Sequence, residues 1–110
     1  MSGWDTQLRK GLVDLAVLAV LARGESFGYR VVEDLERIGG FSAGESTVYP
    51  VLARLARDGA LAVRSAPSPT GPPRRYYRLT EAGRARLRTM AEGWATVSGS
   101  LSRLLEGAIP

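Results

Sequence analysis

The chain has 110 residues, 45% of them hydrophobic, which suits one small domain with a single modest core. It contains no histidine and no cysteine, so imidazole or thiolate metal sites, Ser-His-Asp triads, Cys-His nucleophiles and disulfides are excluded by inventory. The net charge of +4 is unevenly spread: residues 59–90 sum to +6, residues 24–45 sum to −3, and fourteen of the fifteen basic residues are Arg, the side chain that pairs bidentately with phosphate or guanine.

Near the N-terminus, Arg9-Lys10 followed by GLVDLAVLAVLA imitates a secretory signal. Asp14 interrupts the apolar run and Arg23 closes it, short of the ~20 apolar residues a membrane span needs. The expectation is a cytoplasmic chain with no membrane partner. From Leu8 to Ala22, the residues Leu8, Leu12, Leu15, Leu18, Ala19 and Ala22 mark one helical face, and Val13, Val17 and Val20 extend it most of the way round. That pattern predicts a helix buried on more than one side. Gly24 ends it. After Ser26, Phe27, Val31, Leu35 and Ile38 form the stripe of a second helix that stops at Gly39-Gly40.

The third helix lies in GESTVYPVLARLARDG, Gly44 to Gly59. Val48, Val51, Leu52 and Leu55 gather on one side, Ser46, Pro50, Ala53 and Arg57 on the other, and Thr47, Tyr49 and Arg54 flank that outer face. The outer face is small, polar and basic. Pro50 falls on it near the helix start, where the missing N–H leaves one carbonyl, about at Ser46, free for water or a ligand. Either Ser42 with Glu45 as a capping box or a later start near Gly44 to Ser46 sets the N-terminus.

Beyond Gly59 the pattern changes to ALAVRS, the turn-rich SAPSPTGPP and RRYYRLT, two short strands around a loop. Arg74, Tyr76 and Arg78 share one strand face, with Arg64 adding from the first strand. Arg75, Tyr77 and Leu79 share the other, so Tyr77 and Leu79 can pack inward. Thr80 opens a long helix with Glu81 in its first turn, where a carboxylate suits the helix dipole. Within it Leu87, Trp94 and Leu101 are seven apart, as are Met90, Val97 and Leu104, an a/d seam over two and a half heptads. Such a seam is buried by a second subunit, or by folding back on its own domain.

Three helices, a hairpin and a further helix make a mainly α chain in the order of a winged helix-turn-helix, whose third helix enters the DNA major groove. Leu8-Arg9-Lys10-Gly11, Gly28-Tyr29, Ser46-Thr47-Val48-Tyr49-Pro50, Leu52 with Leu55, Asp58-Gly59, and the run from Gly71 through Arg74-Arg75-Tyr76-Tyr77-Arg78 to Thr80-Glu81-Ala82-Gly83 occur in the order seen in one family. Together they resemble the PadR family of bacterial transcriptional regulators, in its short-tailed subgroup with one C-terminal helix. Ser46 and Gly44 depart from the family's usual residues at those positions.

The resemblance implies a DNA-binding unit over 1–79, a dimerisation helix over 80–110, and a palindromic double-stranded operator gripped by a homodimer. Ser46, Thr47, Tyr49, Pro50, Arg54 and Arg57 would contact DNA from the third helix, and Arg74, Arg75 and Tyr76 from the wing. Leu87, Met90, Trp94, Val97, Leu101 and Leu104 would form the dimer interface. In multidrug-sensing relatives a tryptophan matching Trp94 stacks on flat aromatic ligands, so Trp94, with Met90 and Val97, is either an effector site or plain dimer core. A repressor released by a small molecule is the expected function, with no cofactor and no metal. A winged-helix module that binds protein instead would show little salt-dependent DNA affinity. Catalysis would have to rest on hydroxyls or on carboxylates such as Asp14 or Glu92, and no paired constellation supports it.

Overall fold

Three helices meet over a shared apolar centre in the computed structural model, which describes residues 3–109; residues 1, 2 and 110, the outer ends of the expected 1–79 and 80–110 division, lie outside it. Helix α1 (Gly3–Leu21) supplies Val13, Val17, Leu18, Val20 and Leu21, α2 (Gly28–Gly39) supplies Val31 and Leu35, and α3 (Glu45–Arg57) supplies Val48, Val51, Leu52 and Leu55. Each such side chain, fully buried, stabilises the fold by roughly 1.5–3 kcal/mol before the entropy of ordering is set against it.

The buried side of α1 is the valine side. Of the predicted leucine face only Leu18 is buried; Leu8, Ala19 and Ala22 are exposed and Leu12 and Leu15 only partly covered, so the core face is centred on the valines. A run that is apolar nearly all round carries little directional information, and the neighbouring helices choose the side.

Phe27 belongs to a two-residue strand, β1 (Ser26–Phe27), and not to the stripe of α2. It pairs antiparallel with the wing, Ser26 opposite Tyr77 and Phe27 opposite Tyr76. The wing strands β2 (Leu61–Ala66) and β3 (Arg74–Leu79) pair from Leu61–Leu79 to Ala66–Arg74, so the expected hairpin is a three-stranded sheet in the order β1-β3-β2. Two residues are too few to show a period, and β1 exists only because β3 offers it an edge. Tyr77 and Leu79 are buried as the alternation of β3 requires.

Helix α2 ends as a left-handed glycine permits: Gly40 has φ 62°, its N–H donates to the Glu36 carbonyl, and the Phe41 N–H donates to the Leu35 carbonyl. Helix α3 takes the later of its two starts. Gly44 is the N-cap with no side-chain cap, while the Ser42 hydroxyl donates to Glu36 Oε1 at 2.6 Å. Pro50 is accommodated inside α3, with Ser46 one turn before it also exposed.

Helix α4 (Glu81–Leu105) begins at Thr80, whose Oγ1 accepts from the Gly83 N–H at 3.0 Å and donates toward the Gly59 carbonyl at 2.7 Å. Gly83 is buried there, and only glycine fits because a Cβ would collide with the Ala60 carbonyl oxygen. This clamp fixes the departure of α4 from the wing. Its first turns rest Leu87 and Met90 on the core, and the remainder projects beyond it.

Candidate nucleic-acid interface

Opposite its four buried residues, α3 exposes Ser46, Thr47, Tyr49, Pro50, Ala53 and Arg57. Tyr49 leans over the start of α2. A Cβ on Gly28 would stand 2.6 Å from Tyr49 Cε1, so the ring occupies space that only glycine leaves. Burial pushes the Tyr49 phenol pKa up, with the Glu45 carboxylate adding to the effect, and the hydroxyl remains a hydrogen-bond donor at neutral pH. Between α3, the start of α2 and the wing lies an open groove of about 510 Å³, lined by Phe27, Tyr29, Tyr49, Ala53, Arg74 and Arg75 among others. The geometry therefore brings Tyr49 from the third helix together with Arg74 and Arg75 from the wing.

Arg54 has a partner that its place on the helix did not announce. Its Nη1 and Nη2 donate to Asp14 Oδ2 and Oδ1 at 3.0 and 2.8 Å, a bidentate pair joining α3 to α1. The carboxylate raises the guanidinium pKa still further. The signal in the sequence was Asp14 itself, a lone carboxylate in an apolar run, where a cationic partner offsets the cost of partial burial.

The outer face of the wing is organised as a chain of rings and cations. Arg64 donates to both Glu25 oxygens at 2.8 and 2.7 Å and lies 4.7 Å from the centre of the Tyr76 ring. Tyr76 meets Phe27 edge to face at 5.5 Å, and Arg74 covers Phe27 at 4.2 Å. Arg64 is thus engaged by a carboxylate, whereas Arg75 and Arg78 stand exposed. The Arg64 hydrogen bond, joined by the charges of Arg64 and Arg78, holds the Glu25 carboxyl below its ordinary range.

On the far side, α1 and α4 enclose an apolar groove of about 500 Å³ lined by Trp4, Leu8, Leu12, Met90, Trp94 and Val97 among others. Met90, Trp94 and Val97 meet there. Leu87 packs on the core, and Leu101 and Leu104 lie farther along α4. Trp4 shares the groove with Trp94, a pairing that a separation of ninety positions hides from sequence. Trp94, Val97, Leu101 and Leu104 are 47%, 61%, 52% and 74% exposed, so the chain by itself leaves most of the seam uncovered.

Residues 17–89 match the profile of the transcriptional regulator PadR-like family. The chain belongs to that family. A PadR family transcriptional regulator from Eggerthella lenta is similar in structure with TM-score 0.85 at 32% identity, over 94% of this chain and 89% of that one. A PadR-like transcription factor from Bacteroides fragilis aligns at TM-score 0.76 and 26% identity, over 94% and 99%. Bacillus subtilis PadR, solved in complex with operator DNA, aligns at TM-score 0.66 and 30% identity, over 73% of this chain and 47% of that one. These likenesses agree with the winged-helix architecture, and the family is one of regulators, not enzymes.

Proposed function

We propose that this PadR-like chain is a homodimeric, sequence-specific DNA-binding repressor released by a small apolar effector. The observation that carries the reading is the exposed face of α3 standing beside the arginines of the wing across one groove. Ser46, Thr47, Tyr49, Pro50 and Arg57 would enter the major groove, while Arg74, braced on the Phe27 ring, and the exposed Arg75 neutralise backbone phosphates. The Bacillus subtilis relative in complex with operator DNA supports this use of the fold.

Pairing of two subunits through α4, with α1 beside it, would bury the exposed seam and present two α3 helices to a palindromic operator. The same pairing would turn the open α1–α4 groove into a cavity walled by Trp4 and Trp94 from each subunit.

A gel-shift titration over a range of salt tests the DNA assignment. Arg57→Ala and Tyr49→Ala should weaken operator binding more than binding to random duplex. Arg74→Ala and Arg75→Ala should weaken both alike and flatten the salt slope by about one unit per lost phosphate contact. Equal effects from the two groups would remove the distinction between reading and anchoring residues. For the effector, a planar aromatic ligand should quench Trp94 in a Trp4→Phe background over the same concentrations that release the operator, with Trp94→Ala as the control. Quenching without release would leave the groove a binding site with no regulatory part.

A further inference from the structure

Arg54 sits between an exposed surface and a carboxylate. It lies next to exposed Ala53 and three residues before exposed Arg57 on the face proposed for DNA, and its side chain remains 43% exposed. Its guanidinium nevertheless turns away to Asp14, which is 26% exposed and stands next to buried Val13 on α1. Two of its donors are spent on the carboxylate, and the pair carries no net charge. A free arginine at this edge would seek phosphate on any duplex, because phosphate contacts carry no sequence information. Asp14, for its part, accepts both of these bonds from a helix forty residues away, in a stretch of α1 otherwise apolar.

We infer that Asp14 is a specificity-determining residue: by holding Arg54 off the DNA backbone, it keeps one sequence-independent phosphate contact out of the interface. The effect differs between complexes. On random duplex the chain is free to shift until a released Arg54 meets a phosphate, whereas on the operator the base contacts of α3 fix the register and leave it less choice. Asp14 thus lowers binding to random DNA more than binding to the operator. This role rests on the DNA-binding function proposed above.

The test compares wild type, Asp14→Asn, Arg54→Met and the double variant on operator and random duplexes over a series of salt concentrations. Asp14→Asn should bind random duplex several-fold more tightly, with a salt slope steeper by about one unit, and the ratio of operator to random affinity should fall. Arg54→Met keeps the aliphatic stem and should leave the wild-type slope unchanged. In the double variant the slope should return from the steeper Asp14→Asn value to that of wild type, because the added contact belongs to Arg54, whereas a purely structural role for the pair would leave the slope constant in every variant. The inference is overturned if Asp14→Asn weakens both complexes at constant slope, or if Arg54→Met alone flattens the slope by one unit, since Arg54 then reaches phosphate despite Asp14. Because Arg54→Met reads the same contact, a poorly folded Asp14→Asn does not shield the inference from that second outcome. Wild type that binds duplex DNA without salt dependence would overturn the DNA-binding function itself, and this role with it.

Discussion

Tyr49 is placed by the absence of a side chain at Gly28. The ring stands where a Cβ would intrude at 2.6 Å, and the neighbour that must give way is the aromatic ring, not backbone. Gly28→Ala should therefore swing Tyr49 out of its seat while leaving the helices intact. Operator affinity is expected to fall about ten-fold, the loss of one specific contact, with little change in thermal unfolding. Parallel gel shifts and circular dichroism melts check this, and an unchanged operator affinity would show that Tyr49 does not need its seat. Gly83 makes the contrasting case, because the group in the way there is the Ala60 carbonyl and cannot swing aside. At this scale the sequence showed Gly28-Tyr29 and Tyr49-Pro50 as separate motifs, and nothing in either indicated that they touch.

The wing's own ladder is tied to β1 and to Glu25 by an ion pair and a chain of ring contacts. Glu25 grips Arg64, Arg64 covers Tyr76, and Tyr76 meets the Phe27 ring that Arg74 caps, so β1 and both wing strands act as one unit. The Glu25 carboxyl has its pKa lowered from an ordinary value of 4.5. A carboxylate whose pKa is depressed on folding contributes stability that is fully present above that ordinary value and is lost as pH falls through the lowered one. Amide-exchange protection in β1 and β3 should accordingly decline in acid below about pH 4.5, and Glu25→Gln should show the same loss already at neutral pH. Protection that is equal in wild type and variant throughout would mean that the ladder alone holds the wing. Since the pair lies at the surface, the change is expected in local opening and not in global unfolding.

At the scale of the whole molecule, α4 carries an apolar seam that the chain by itself leaves uncovered. Its first turns are settled on the core through Leu87 and Met90, yet Val97, Leu101 and Leu104 are more than half exposed and continue a seven-residue repeat. Val97→Asp or Leu101→Asp would set a carboxylate against its symmetry mate in an apolar interface, an uncompensated burial costing several kcal/mol. Sedimentation at micromolar concentration should then show a dimer for wild type and monomers for either variant, each retaining the wild-type helix content because these residues contribute little to the monomer core. A variant that remains dimeric would place the interface elsewhere.

The repeating features of this protein were settled by its sequence alone: the four helices and the two wing strands, the polar outer face of α3, the inward Tyr77 and Leu79 of β3, and the apolar repeat of α4. Each is a periodicity, and the backbone geometry of a helix or strand turns a period into a face without reference to anything distant. Tertiary structure alone decided which side of α1 is buried, that Ser26 and Phe27 form a third strand, that Trp4 joins Trp94 in one groove, and that Arg54 and Arg64 are held by Asp14 and Glu25. Those two ion pairs join residues forty and thirty-nine positions apart. Such pairings leave no period behind, because what makes them is the approach of two elements, each of which looks complete by itself.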